Sequence, residues 1–308
     1  MPWEIRTWCS GAAILKWYGT ICFSRSSPPS IRAGMFLTDL QPIAALPMYD
    51  FPELRQSHDA LWAALASRLT AAGIVGVPPL LAQHLGHVAV WRHPRLLLGQ
   101  GCEYPLATSL AGSVRIVATP CYTALGCVGA TYRSAIVVRA TDPAGSLAEL
   151  RNRRCVVNEA ESNSGMNLLR AAIAPLSDGA PFFESVVLSG SHRRSVAMVV
   201  ASVADVAAID CVTFAHLQRL YPHEVTGVRV LSWTPRSPSL PFITAGANDD
   251  ATVDALRIAL AAVFSDPALS TVRERLLLDG IDLEPRESFS QVLALARDAA
   301  ESGFPVLR

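Results

Sequence analysis

From about Gln41 onward, short β-rich runs alternate with amphipathic helical runs, and this alternation limits the possible folds more than any other pattern in the sequence. Strands that alternate with helices predict parallel sheets covered by helices on both faces. In the first predicted helix, Leu61, Leu65 and Leu69 recur every four residues and form one apolar face. The predicted strands are 43–46, 95–98, 114–118, 132–139, 155–157, 185–188, 205–209, 228–233 and 242–244, and the predicted helices are 53–72, 146–151, 166–174, 191–202, 212–220, 252–264, 269–278 and 288–300.

Composition limits the class of protein. Of 308 residues, 51% are hydrophobic and 17% are charged, which supplies a large core and excludes disorder for most of the chain. A chain of this length is expected to form two lobes or domains. The formal net charge of zero argues against a nucleic-acid partner, and the sequence contains no uncharged apolar run long enough to span a membrane.

Residues 1–34 differ in character from the rest and form an irregular N-terminal segment. Gly11 to Phe23 is apolar but interrupted by Lys16, and no clean signal-peptidase site follows. One hypothesis places the true start at Met35, outside this segment. The alternative is a degenerate export signal.

The seven cysteines carry no metal-binding signature, because neither a CxxC motif nor zinc-type spacing occurs. We therefore expect no metal and no cofactor. In an oxidising compartment, Cys121 and Cys127 are candidates for a disulfide, and free thiols are the alternative.

Three loops that each join a predicted strand to a predicted helix contain hydrogen-bonding groups. They are Ser162-Asn163-Ser164-Gly165, Gly190-Ser191-His192, and Asp210 at the end of Ala207-Ala208-Ile209. Ligands of α/β sheets bind beyond the carboxyl ends of the strands, where the helix N-termini favour anions. Each loop taken alone is equally typical of an ordinary helix N-cap. Their occurrence at consecutive strand ends favours a shared site.

The preceding part of the chain offers weaker candidates. Tyr49 follows the first strand, and Cys102 and Tyr104 lie in the loop 100–104. The two tyrosines are suited to closing over a ligand, and packing tyrosines with surface hydroxyls are the alternative. Glu103 in the same loop would repel an anion unless the ligand also carries a cation, as an aminoalkylphosphonate does.

The three loops, together with the run Ala204-Asp205-Val206 before the last one, resemble the substrate-binding proteins of phosphate, phosphite and phosphonate ABC importers. The resemblance implies a type 2 periplasmic-binding-protein fold, in which two α/β lobes, each a mostly parallel sheet flanked by helices, are joined by two crossover strands. It implies a first lobe of 35–135 and 238–308 and a second lobe of 136–237.

The same resemblance implies a protein that is not an enzyme and binds a small phosphorus oxyanion between its lobes, in the periplasm and beside an ABC permease. The expected ligand-binding residues are Ser162, Asn163, Ser164, Gly165, Ser191, His192 and Asp210, with Tyr49, Cys102 and Tyr104 on the facing lobe. The lack of a clear export signal keeps a cytoplasmic location open. The alternative functions are a cleft enzyme, whose only candidate acid–base pair is His192 with Asp210, and a cytoplasmic metabolite sensor, both on the same fold and acting on a small carboxylate.

Overall fold

A computed structural model of the chain describes residues 41–284 and 288–308. The segment 1–34 and the choice between Met1 and Met35 lie outside the described residues. The strands are β1 Ile43–Ala45, β2 Leu96–Gln100, β3 Val114–Tyr122, β4 Thr131–Tyr132, β5 Ser134–Arg139, β6 Arg154–Val157, β7 Ser185–Leu188, β8 Val206–Asp210, β9 Val228–Trp233, β10 Ser237–Pro238, β11 Phe242–Ala245 and β12 Leu278–Asp282. The helices are α1 Arg55–Ala71, α2 His87–Trp91, α3 Glu103–Ala107, α4 Leu168–Ile173, α5 His192–Val200, α6 Cys211–Leu220, α7 Pro222–Val225, α8 Asp250–Ser265, α9 Ser270–Arg275 and α10 Ser288–Glu301.

Two five-stranded sheets organise the described residues. The first has the order β1-β2-β11-β3-β12 and the second the order β7-β6-β8-β5-β9. A short pairing of β4 with β10 lies between them in the chain, where Tyr132 is opposite Ser237. Two sheets joined by two crossover segments agree with the predicted two-lobed α/β fold.

The sheets are mixed, which corrects the expectation of mostly parallel sheets. β1 pairs in parallel with β2, and β6 pairs in parallel with β7 and β8. In contrast, β5 is antiparallel to β8 and β9, and β11 is antiparallel to β2 and β3. The reason is topological: the chain leaves the first sheet through β3 and returns through β11, and it enters the second through β5 and leaves through β9. Neighbouring strands that carry the chain in opposite directions must pair antiparallel.

The end of the chain packs on the second sheet. Phe304 and Leu307 are buried in the same cluster as Phe182, and the Phe182 and Phe183 N–H groups donate to the Arg308 carbonyl at 2.7 and 3.1 Å. These contacts depart from an assignment of all of 238–308 to the first lobe. The division into lobes otherwise stays a prediction.

Three segments differ in type from the sequence expectation. The predicted helix 269–278 ends at Arg275, and Leu277 adopts a left-handed φ of 59° that breaks it before β12 pairs with β3. Helices α2 and α3 form where no helix was predicted. Both are only five residues long, too short for a reliable helical periodicity.

Among the described residues, no single helix is both long and apolar enough to cross a membrane, although α8 and the segment Pro267–Arg275, bent by 73°, pass that test as a pair.

Candidate ligand-binding cavity

The loops that follow β6, β7 and β8 line one cavity together with the loop after β1. Its volume is about 370 Å³. Seven of the ten predicted ligand-binding residues line it: Tyr49, Cys102, Ser162, Ser164, Ser191, His192 and Asp210. The cavity therefore brings together side chains from three strand–helix loops and from the facing lobe.

Helix capping positions three of these side chains. Ser162 Oγ accepts from the Gly165 N–H at 3.0 Å, Ser191 Oγ from the Arg194 N–H at 3.2 Å, and Asp210 Oδ1 from the Thr213 N–H at 2.8 Å. Each residue is thus an N-cap, as the simpler interpretation of its motif expected, and also lines the cavity. A capping hydroxyl uses an acceptor lone pair, so its own hydrogen stays available to a ligand.

Ser164 and His192 form a hydrogen-bonded pair, with 2.8 Å between Ser164 Oγ and His192 Nε2. Ser162 Oγ lies 3.3 Å from Ser164 Oγ and extends this group. Burial lowers the pKa of His192 to about 4. His192 is therefore neutral at pH 7 and acts as a hydrogen-bonding group rather than as a cation.

Asp210 joins the two sides of the cavity. Its Oδ2 accepts from the Tyr49 hydroxyl at 3.1 Å. Burial raises the pKa of Asp210 to about 6, against which the bonds from Thr213 and Tyr49 favour the ionised form. Burial, with the Asp210 charge beside it, also raises the pKa of Tyr49 well above its ordinary value, so the phenol remains a donor.

The backbone at Tyr49 is strained, since this bulky residue has a left-handed φ of 59°. Its ring packs edge-on against Tyr122 at a centroid distance of 5.5 Å and lies 6.2 Å from His216. These contacts hold the ring where its hydroxyl reaches Asp210. Strain of this kind concentrates at binding sites, where the surroundings enforce it.

Cys102 lines the cavity as a protonated thiol. Burial raises its pKa to about 12, and its Sγ accepts from the Asn163 N–H at 3.3 Å. A thiol in this state is a poor nucleophile.

The cavity wall carries more negative than positive charge. Asp50, Glu159 and Glu161 line it in addition to Asp210. Its basic side chains are engaged: Arg193 binds Glu224 through two bonds of 2.8 and 2.6 Å, and His87 Nε2 lies 3.2 Å from Glu159 Oε2.

Asn163 and Gly165 were expected to line the cavity, but neither of them does. The Asn163 amide donates to Tyr132 and Ser237, and its oxygen accepts from Asn167. All these groups lie behind the loop, so the fully buried side chain holds the loop in place instead. A Cβ on Gly165 would lie 1.8 Å from Asn158 Oδ1, so Gly165 contributes a close approach rather than a ligand contact.

Tyr104 is also absent from the lining, because residues 103–107 form α3 instead of an open loop. The sequence interpretation missed the apolar wall that includes Val88 and Trp91, which lie three residues apart in α2. That spacing is the one sequence signal that could have revealed this wall. A pattern of two residues is too short to predict a helix by periodicity.

Comparison with known proteins identifies the family. The family described as periplasmic substrate-binding proteins of phosphonate ABC transporters matches residues 96–283. The chain belongs to this family. The resemblance drawn from the three loops is thereby confirmed, and members of this phosphonate-binding family are transporter components, not enzymes. No curated protein sequence matches the chain.

Solved structures show the same fold at low identity. The binding component of a Pseudomonas aeruginosa ABC phosphonate transporter is 14% identical with a TM-score of 0.65, over 85% of this chain and 88% of that one. PhnD1 from Prochlorococcus marinus in complex with methylphosphonate is 14% identical with a TM-score of 0.64, over 85% and 98%. A Xanthomonas citri protein bound to ATP is 18% identical with a TM-score of 0.64, over 85% and 98%.

Proposed function

We propose that the cavity binds a phosphonate or a closely related phosphorus oxyanion in its singly protonated form, and that Ser162, Ser164, Ser191, His192, Asp210 and Tyr49 hold it. The observation that carries this proposal is the convergence of capping hydroxyls and one buried carboxylate on a single cavity. The hydroxyls and the neutral histidine offer hydrogen bonds to the oxygens of the anion. Asp210 accepts a hydrogen bond from the remaining P–OH group.

The carboxylate provides the selectivity. A monoanionic phosphonate has one hydroxyl that can donate to Asp210, whereas sulfate has none at neutral pH. A buried carboxylate facing an acceptor-only anion is repelled and left unpaired, which disfavours sulfate.

The number of polar groups is sufficient for useful affinity. A hydrogen bond to a charged group contributes about 1.5–3 kcal/mol, so four supply about 6–12 kcal/mol. Micromolar binding requires about 8 kcal/mol. Four such hydrogen bonds are therefore on the energy scale of micromolar binding before the cost of association is subtracted.

The acidic wall favours a ligand that also carries a positive charge. Glu159 and Glu161 lie on the loop that leads to the Ser162 cap, and both line the cavity. Pairing with His87 keeps the pKa of Glu159 below its ordinary value, so this carboxylate is ionised. An aminoalkylphosphonate would place its ammonium group near these carboxylates while its phosphonate oxygens accept hydrogen bonds from the capping hydroxyls.

The family supports a role for the chain as the solute-binding component of an ABC importer in the periplasm, where it would deliver the anion to a permease. The permease and the location of this chain belong to the proposal.

Calorimetric titration with methylphosphonate, 2-aminoethylphosphonate, phosphite, phosphate and sulfate tests it. We expect micromolar or tighter binding of at least one phosphorus ligand, the strongest for 2-aminoethylphosphonate, and no binding of sulfate. Binding of sulfate alone, or of none of the phosphorus compounds, would overturn the proposal. Chemical turnover of a bound compound would favour the cleft-enzyme alternative.

A further inference from the structure

Two cysteines far apart in the sequence meet beside the cavity. Cys127 Sγ lies 3.4 Å from Cys211 Sγ, although 84 positions separate the residues. Cys127 belongs to the turn between β3 and β4, and Cys211 is the first residue of α6, directly after Asp210. The sequence had instead suggested Cys121 as the partner of Cys127.

We propose that Cys127 and Cys211 form an intramolecular disulfide when the protein meets a disulfide donor. A disulfide has an S–S length of about 2.05 Å, so the two sulfurs must approach by roughly 1.4 Å. Rotation about the Cα–Cβ bonds of the two cysteines is the movement that would close this gap.

The packing around the pair holds both residues in place. A Cβ on Gly126 would lie 3.1 Å from Cys211 Cβ and 2.9 Å from the Trp233 ring, and Gly126 has a φ of +109° that other residues rarely adopt. The Gly126 carbonyl accepts from Arg236 at 3.2 Å, and the Cys211 N–H donates to the Arg133 carbonyl at 3.1 Å. The turn is therefore fitted against the start of α6.

Access to the two thiols is unequal. Cys127 is partly exposed and is flanked by Leu125 and Val128, which are 81% and 61% exposed, whereas Cys211 is 2% exposed. A donor disulfide therefore reaches Cys127 first.

The reaction is a two-step thiol–disulfide exchange. The Cys127 thiol loses its proton, the resulting thiolate attacks one sulfur of the donor, and the other sulfur leaves as a thiolate that takes up that proton. Cys211 then attacks the Cys127 sulfur of the mixed disulfide and expels the second donor thiol, which takes the Cys211 proton. Two electrons pass from the cysteine pair to the donor. The Cys127 contact and burial raise the pKa of Cys211, so we expect the second step to be slow.

The bond would tie the turn that connects the two sheets to the helix that Asp210 caps. Closing a chain segment of this length removes freedom from the unfolded state. We expect the midpoint of thermal unfolding to rise by about 4–16 °C on oxidation. The periplasm, where the family works, supplies disulfide donors.

Peptide mapping tests the proposal directly. Native protein is incubated with oxidised glutathione, alkylated and digested with trypsin, which releases Cys127 in peptide 116–133 and Cys211 in peptide 195–219. We expect these two peptides to be cross-linked in the wild type and in Cys121→Ser, and not in Cys127→Ser or Cys211→Ser. The Cys121→Ser control is needed because peptide 116–133 contains both Cys121 and Cys127.

The midpoint of unfolding provides the second readout. Oxidation should raise the midpoint in the wild type and in Cys121→Ser. It should leave the midpoint unchanged in Cys127→Ser, in which the partly exposed cysteine is replaced. A cross-link within peptide 116–133, glutathione adducts alone, or unmodified thiols would each overturn the proposal. Phosphonate titration of the reduced protein is a separate measurement, so the failure of one proposal is distinguishable from the failure of the other.

Discussion

The Tyr49 hydroxyl donates to Asp210 Oδ2 at 3.1 Å across 161 positions of sequence. Tyr49 follows the first strand of the first sheet, and Asp210 ends a central strand of the second. This bond occupies the carboxylate oxygen that we propose accepts a hydrogen bond from the ligand hydroxyl. We expect the ligand hydroxyl to take that position, and the Tyr49 hydroxyl then to donate to an oxygen of the anion.

Replacing Asp210 should weaken phosphonate binding selectively. We expect Asp210→Asn to lose about 1.5–3 kcal/mol of binding free energy by calorimetry, because the ligand hydroxyl loses a charged acceptor. Asparagine retains N-cap function, so the start of α6 is preserved. Asp249→Asn is a matched control, since Asp249 caps α8 through the Thr252 N–H at 2.8 Å outside the cavity. Unchanged affinity in Asp210→Asn would remove this carboxylate from the site.

The affinity should depend on pH through Asp210. Its pKa of about 6 means that the carboxyl group becomes protonated below that pH and can no longer accept from the ligand hydroxyl. We expect the ratio of wild-type to Asp210→Asn association constants to fall roughly tenfold between pH 7 and pH 5. Taking the ratio cancels the titration of the ligand itself. A ratio that stays constant or rises toward pH 5 would contradict the assignment.

The stability of the protein should show the opposite dependence. Burial raises the pKa of Asp210 from its ordinary 3.8 to about 6, so the folded state binds this proton more tightly than the unfolded state does. The ionised Asp210 carboxylate therefore lowers the free energy of unfolding. This loss is complete above about pH 6 and absent well below pH 4. We expect Asp210→Asn to raise the free energy of unfolding at pH 8 by up to about 3 kcal/mol, with little gain at pH 3.5. Urea unfolding at both pH values measures this, and an equal gain at both would refute it.

Gly165 should tolerate no side chain. The added Cβ of Gly165→Ala would lie 1.8 Å from Asn158 Oδ1 and 3.3 Å from His192 Cε1. We expect lower stability, by about 1–3 kcal/mol, together with weaker phosphonate binding. Gly145→Ala is the control, because its nearest neighbour is the flexible Glu149 side chain at 3.7 Å. Equal behaviour of the two variants in unfolding and titration would show that the close packing at Gly165 is unimportant.

The acidic wall should determine preference for a cationic ligand. We expect Glu159→Gln and Glu161→Gln each to lower the affinity for 2-aminoethylphosphonate by up to about fivefold, the scale of a partly exposed ion pair, while methylphosphonate binding is unchanged or improved. Glu184→Gln, an exposed position outside the lining, serves as the control. Equal losses for both ligands would exclude a charge-specific role.

The second-lobe part of the site could be predicted from the sequence because its chemistry follows local rules. Ser162, Ser191 and Asp210 each stand between a strand and a helix, and the carboxyl ends of β6, β7 and β8 lie at one edge of the sheet. Local rules also explain why the capping and binding interpretations were hard to separate. In the structure, each of these side chains caps a helix and also lines the cavity.

Features that depend on tertiary packing were less predictable, in both lobes. Nothing in the sequence near Tyr104 shows that α3 begins at Glu103, and nothing near Asn163 shows that Tyr132 and Ser237 take up its amide. Likewise, the strand β12 follows a break at Leu277 whose left-handed conformation is not a pattern that periodicity detects.

A crystal structure of the protein with 2-aminoethylphosphonate would show whether the three loops and Asp210 hold a phosphonate. We predict phosphonate oxygens within hydrogen-bonding distance of Ser162 Oγ and Ser164 Oγ, with the protonated oxygen against Asp210. A phosphonate bound outside the cavity, or one bound in it with Asp210 still held only by Tyr49 and Thr213, would refute this binding site.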